Sequence, residues 1–217
     1  MRTLVIGASG GIGAALVAAA GEDVVGLSRR DDGLEITDEA SVAAALGGLA
    51  PGFERVMLAT GALEVQGRAP EKTIRAVDAE GLMAQFAVNA VGPALVLKHL
   101  LRLLPRDRVV RVGVLSARVG SIGDNRLGGW YGYRAAKAAL NQIVHTTAIE
   151  WARSHPQSVL VALHPGTVAT PLTAVHGAGH DRVAPDLAAA RLWQVLERLG
   201  PDQTGTFHDW AGKPVPW

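Results

Sequence analysis

Short apolar runs recur along the chain, each followed by a longer stretch whose apolar residues fall at helical spacing. Leu4-Val5-Ile6, Asp23 to Leu27, Leu34-Glu35-Ile36, Arg55 to Thr60, Val109 to Leu115, Ser158 to Leu163 and Thr206 to Trp210 predict strands. Continuous aliphatic runs of this length are the pattern of strands covered on both faces. Between them the spacing predicts helices over Ile12 to Ala20, Glu39 to Leu49, Asp78 to Leu104, Tyr131 to Ser154 and Ala184 to Leu199. Thr37 or Asp38 is placed to cap the second of these. Pro93 is expected to kink or restart the third. Residues 62–77 are polar and irregular and read as a surface loop. Strands alternating with helices at this spacing imply parallel βαβ units. The expected fold is therefore α/β, a doubly wound parallel sheet (Rossmann) in three α/β/α layers. One domain is expected over residues 1–217, with a short substrate lid around 172–183.

Composition narrows the partners. With 48% hydrophobic and 19% charged residues, the chain can bury a large core. A net charge of +1 gives no reason to expect nucleic acid or a membrane surface. There is no cysteine, hence no disulfide framework and no thiol chemistry. The first residues run straight into a strand, which leaves no room for a signal peptide. Lys98, His99 and Arg102 interrupt the apolar run Leu95 to Leu104, so no bilayer span is expected. A cytoplasmic protein is the expectation.

Candidate chemistry sits where strands end. Gly7-Ala8-Ser9-Gly10-Gly11-Ile12-Gly13 joins the first strand to the first helix. Glycines admit a positive φ and a close backbone approach, and the free amides of a helix start suit an anion, here a dinucleotide pyrophosphate. The second strand ends at Ser28-Arg29-Arg30. In this fold type that end meets the adenosine ribose, and arginines rather than a carboxylate favour a 2′-phosphate, hence NADP over NAD. Asn89 falls among apolar neighbours, where it needs hydrogen-bond partners; a structural bond to a neighbouring strand and a catalytic role both satisfy that. The strand 109–115 ends in the small-residue turn Ser116-Ala117-Arg118-Val119-Gly120-Ser121. Tyr133 and Lys137 are four residues apart and share a helix face. An ammonium beside a tyrosine favours the phenolate and lowers its pKa. A serine hydroxyl across from the pair can hold a carbonyl while the tyrosine gives it a proton. His176, His180 and Asp181 have a metal-like spacing, but in glycine-rich sequence where no helix is expected, so no metal is assigned.

Order and spacing of these residues resemble the short-chain dehydrogenase/reductase family over almost the whole chain. Gly7, Gly11 and Gly13 match its cofactor glycines, and Asn89, Tyr133 and Lys137 its catalytic Asn, Tyr and Lys. Pro165-Gly166 through Thr170 matches the segment that meets the nicotinamide carboxamide. The runs Val119 to Asn141 and Gly212-Lys213-Pro214-Val215-Pro216-Trp217 look like the C-factor and sniffer-like carbonyl reductase branch.

The resemblance implies hydride exchange between a nicotinamide cofactor and a small carbonyl or alcohol. Tyr133 would be the acid and base, Lys137 its helper on the nicotinamide ribose, Asn89 the holder of a relay water, and Ser116 the group that polarises the carbonyl. The implied cofactor contacts are Gly7, Ser9, Gly11, Ile12, Gly13, Arg29, Glu35, Ile36, Gly61, Pro165, Gly166, Val168 and Thr170, with Tyr133 and Lys137. NADP is the expected cofactor, with NAD the alternative. The family pairs helices like 78–104 and 131–154 across a dimer or tetramer. Two departures bear on the site. Ala59-Thr60-Gly61 stands where the family has Asn-Ala-Gly. Ala117 stands where it has its catalytic Ser, leaving Ser116, Ser121 or neither to replace it. The rival is a regulatory NAD(P)-binding protein of C-factor type with little turnover.

Overall fold

The computed structural model describes residues 1–174 and 182–217. Alternate residues of each apolar run point to opposite faces, as strand geometry requires. The strands are β1 (Thr3–Ile6), β2 (Val24–Leu27), β3 (Arg55–Leu58), β4 (Val110–Leu115), β5 (Ser158–His164) and β6 (Phe207–Asp209). They form one sheet in the order β2-β1-β3-β4-β5-β6, with every pairing parallel. Leu4, Ile6, Val56, Leu58, Val112 and Leu160 face one side. There they meet α3 (Glu39–Gly47), α5 (Gly92–Leu100) and α6 (Tyr131–Trp151) through Leu46, Leu97, Leu100 and Leu140. Val5, Met57, Val161 and Leu163 face the other side. Their partners are α1 (Gly11–Ala19) and α7 (Pro185–Arg198) through Leu16, Leu192 and Leu196. Two dry cores, one on each face, follow from that alternation. The indole of Trp193 ties the second together by donating to the Leu16 carbonyl at 3.1 Å.

The strand expected at Leu34–Ile36 does not form. Ser28 caps a single helical turn, α2 (Arg29–Asp32), and Gly33 ends it with φ of +69°. Leu34 N then bonds back to the Ser28 carbonyl, and Glu35 N to the Ser41 hydroxyl at 3.0 Å. Local capping takes up these two amides in place of a strand partner.

The pattern over 78–104 divides into α4 (Ala79–Phe86), a π-helical turn (Ala87–Val91), α5 and a 3-10 turn (Leu101–Leu103). Pro93 stands in the first turn of α5, and the widened turn before it absorbs the missing amide. By length and composition Ala79–Leu103 is apolar enough to cross a bilayer, a property that counting from Leu95 does not reveal. Half of its most apolar window is buried against the rest of the fold, with Val96, Leu100 and Leu103 completely covered.

Candidate active site

After Ile6 the chain turns through Gly7 at φ of +91°, where a Cβ would stand 2.7 Å from the Ala59 carbonyl oxygen. A Cβ on Gly13 would lie 2.0 Å from the Gly7 oxygen, so only glycine lets α1 press against the turn. A Cβ on Gly11 would meet Thr170 at 2.6 Å, which places the segment after β5 directly over α1. Gly10 offers α1 no side-chain cap, and the first turn holds no acid. The leading amides of α1 therefore keep their attraction for an anion. Ser9 lies in the same turn.

Beyond β2, Arg29 projects into solvent with a side chain 81% exposed and 3.6 Å from the Glu35 carboxylate. The Thr37 amide and hydroxyl, then Arg29, hold that carboxyl below the usual glutamate range. Ile36 is half-buried and packs on the core below α5.

A cavity of about 540 Å³ opens at the C-terminal edge of β3, β4 and β5. Of the residues singled out by sequence, Ile12, Gly61, Ser116, Tyr133, Lys137, Pro165, Gly166, Val168 and Thr170 line it. Gly7, Ser9, Gly11, Gly13, Arg29, Glu35 and Ile36 lie outside it, along the glycine turn and past the end of β2. Thr60, of the altered Ala59-Thr60-Gly61 stretch, is also in the wall.

Tyr133 and Lys137 come from the start of α6, one turn apart. Both are buried, with the Lys137 ammonium 5.9 Å from the centre of the Tyr133 ring. Lys137 Nζ donates to the Leu115 carbonyl at 3.0 Å, which joins α6 to the end of β4. Burial pulls the lysine down to about 8. Burial also raises the Tyr133 phenol above its ordinary value, where the sequence reading expects it lowered. The reason is that desolvation of the phenolate outweighs an ammonium nearly 6 Å away. Among the protein's own groups, then, Tyr133 is a firmly protonated acid.

Ser116 continues β4, its amide bonded to the Leu163 carbonyl at 2.8 Å. Its hydroxyl donates to Asn141 Oδ1 at 2.6 Å, so its one proton is engaged. Ala117 lines the cavity beside it. Ser121 is buried away from the cavity, its hydroxyl accepting from the Asp124 amide at 3.1 Å. Asn89 stands behind the wall in the π-helical turn. Its Nδ2 donates to the Ala62 carbonyl and to Gln85 Oε1, both at 2.8 Å, and its Oδ1 accepts from the Ala62 amide at 3.1 Å. This carboxamide braces the loop after β3. Gly61, at φ of +143°, permits it, because a Cβ there would touch Asn89 Oδ1 at 3.0 Å and Lys137 Nζ at 3.2 Å.

Several site residues escape the sequence reading. Glu71, in the loop read as mere surface, accepts from the Gly132 amide at 3.1 Å, and its carbonyl accepts from the Trp130 amide. A side chain on Gly132 would collide with that carboxylate at 2.8 Å, and the glycine between two tyrosines is the one trace of this in the sequence. Trp130 precedes α6 in the left-handed region, φ +53°, and meets Tyr133 edge-on at 6.3 Å. Trp210 packs on Gly166. His164, at the end of β5, lines the cavity. Val168 and Val183 pair in an isolated parallel bridge. His176, His180 and Asp181 lie outside the described residues.

The match to known proteins follows this geometry. Residues 9–200 match the family model described as Enoyl-(Acyl carrier protein) reductase. The chain is 30% identical to 1-hydroxy-2-glutathionyl-2-methyl-3-butene dehydrogenase of Rhodococcus sp. (strain AD45), over 86% of this chain and 80% of that one. It is 36% identical to the C-signal of Myxococcus xanthus, over 65% and 81%. The NADPH-bound carbonyl reductase from chicken fatty liver superimposes with a TM-score of 0.82 at 23% identity, covering 100% of this chain and 98% of that one. With the parallel sheet, the glycine turn and the Tyr133–Lys137 wall in place, these matches identify the family: the chain belongs to the short-chain dehydrogenase/reductase family of NAD(P)-dependent oxidoreductases.

Proposed function

We propose that this chain is an NADP-preferring carbonyl reductase, able to oxidise the corresponding alcohol, with Tyr133 as its acid and base. The observation that carries the reading is the largely buried Tyr133 side chain in the wall of an apolar cavity, with the Lys137 ammonium 5.9 Å from its ring centre. The bound dinucleotide supplies hydride; the rest of the task falls to the protein. Tyr133, kept protonated by burial, gives its proton to the substrate oxygen as that oxygen gains charge. Lys137 is mostly ammonium at neutral pH and steadies the phenolate that remains. Ser116 turns its proton from Asn141 to the substrate oxygen. The open α1 terminus and the Gly7–Gly13 cradle suit the pyrophosphate, a fit seen in the missing cap and the approach that only glycine allows. Exposed Arg29, 3.6 Å from Glu35 just past the end of β2, supports the 2′-phosphate reading.

The test is oxidation of NADPH and of NADH with a panel of small ketones and aldehydes. Arg29→Ala should weaken NADPH by roughly tenfold and leave NADH unchanged; equal losses refute the 2′-phosphate role. Ala117 in the wall and the engaged Ser116 proton favour a second reading, a regulatory NAD(P)-binding protein of C-factor type with little turnover. Cofactor-induced thermal stabilisation without turnover on any carbonyl would replace the first reading with the second.

A further inference from the structure

His164 is a polar side chain in the cavity wall that the chemistry above does not use. It closes β5, immediately before Pro165-Gly166, with its backbone in register with Asp209 of β6. Its Nδ1 is one of two buried side-chain polar atoms, among the described residues, that lack a hydrogen-bond partner. Native folds seldom leave such an atom without a reason. The ring lines the cavity, and Nδ1 is the nitrogen sealed from it, so Nε2 is the polar atom that the ring offers to the cavity.

The proton can then be assigned. A neutral imidazole carries it on one nitrogen only. An orphaned buried N–H is rarer than an orphaned lone pair, which puts the proton on Nε2. Burial and the nearby Arg118 charge hold the ring down to about 4, so it is neutral near pH 7. The cavity therefore meets an N–H donor without a protein acceptor.

The same wall says which acceptor fits. Its two arginines are engaged: Arg118 with Asp124 at 2.6 Å, and Arg134 with the carbonyls of Val119, Gly128 and Gly129. A substrate carboxylate would have to compete with these partners for either guanidinium. The rest of the wall is mainly apolar, so a neutral oxygen is the acceptor that costs least to bring in.

We infer that His164 is a specificity residue whose Nε2–H donates to a second, neutral oxygen of the substrate, so that the preferred substrates are carbonyl compounds bearing another oxygen acceptor, such as dicarbonyls and keto esters. The inference rests on the reductase reading for its chemistry, but its test also reads binding alone.

The probes are 1,2-cyclohexanedione and cyclohexanone, which differ by one carbonyl. Each is titrated calorimetrically into the NADP⁺-saturated protein and assayed with NADPH. The wild type should favour the dione by about tenfold in affinity and in kcat/KM. His164→Phe, which keeps a ring and loses both nitrogens, should bring that ratio near one by weakening the dione alone. His164→Gln, which keeps a donor, should retain part of the preference and guards against a packing effect of the phenyl ring. A preference unchanged in both variants overturns the inference and leaves the reductase reading standing. Equal losses on both ketones, failure of the wild type to bind either, or weaker NADPH binding in both variants also overturns it, the last by assigning the ring to the cofactor. Preferential binding of the dione that needs His164, without turnover, upholds the inference and removes the reductase reading.

Discussion

Two helices begin at the edge of the cavity, and they begin differently. α1 starts at a glycine with no side-chain cap and no acid in its first turn. α6 starts after a left-handed Trp130, and the Glu71 carboxylate sits on its Gly132 amide. Both termini carry the partial positive charge of aligned peptides. At α1 that charge is left for something that arrives; at α6 it is neutralised from within. The difference teaches what each end is for. An open terminus is a binding surface, whereas a plugged one is a fixed platform, and Tyr133 stands two residues into the platform.

The largest effect should come from the platform itself. Tyr133→Phe removes the acid but not the ring, so kcat for NADPH-dependent reduction should fall roughly 10³-fold while the NADPH dissociation constant stays near wild type. Stopped-flow turnover and fluorescence titration measure the two, and retained turnover takes Tyr133 out of the mechanism. Plugging the open end is the next test. Gly10 has an ordinary φ of −75°, and a Cβ there meets nothing closer than 3.4 Å. Gly10→Asp should therefore fold, cap α1, and lose about 10²-fold in NADPH affinity by repelling the pyrophosphate. A dissociation constant within threefold or so of wild type would show that the terminus does not face the anion.

Lys137→Met probes the cost of the platform. Its folded pKa, about 8, lies below the unfolded value, so below pH 8 the folded state carries a buried charge that destabilises it. The variant should be more stable near pH 7 by on the order of 1–3 kcal/mol, and inactive. That gain should fade as pH rises through 8 toward the ordinary lysine value, where the wild-type charge is lost in both states. Urea melts at both ends of this range read it directly; a pH-independent difference would mean packing rather than charge. The smallest effect belongs to the plug. Glu71→Gln keeps the shape and removes the charge, costing about 0.5–1 kcal/mol of stability and a few-fold in kcat, with NADPH affinity unchanged. Weakened NADPH binding would mean that the plug serves the cofactor instead.

The same contrast sets what could be read from the sequence. The glycine turn is a backbone device, and its requirements are local, so Gly7, Gly11 and Gly13 announce it. The strands are equally legible, since burial on both faces leaves continuous aliphatic runs. Leu34–Ile36 shows the limit: three strand-like residues join no sheet when Ser28 and Ser41 take up the Leu34 and Glu35 amides locally. The platform depends on partners far away in sequence. Nothing near Glu71 marks it as the acid that holds Gly132 61 residues later. Asn89 is legible as a buried amide but not as a brace on Ala62, nor Ser116 as a donor to Asn141. The raised Tyr133 pKa is hidden for a related reason, because spacing places the ammonium while only packing decides how dry the phenol becomes. His164 is invisible in a run where every other residue is core.

Residues 87–91 hold one more residue than a regular helical turn would need. That surplus limits how this chain can vary in length. Deleting one residue there would regularise the helix and leave Val96, Leu97 and Leu100 on the sheet, but Asn89 would lose its reach to Ala62. Insertions and deletions should therefore accumulate in the outer loops of related sequences and spare this turn, and a designer shortening the protein should leave it at its present length.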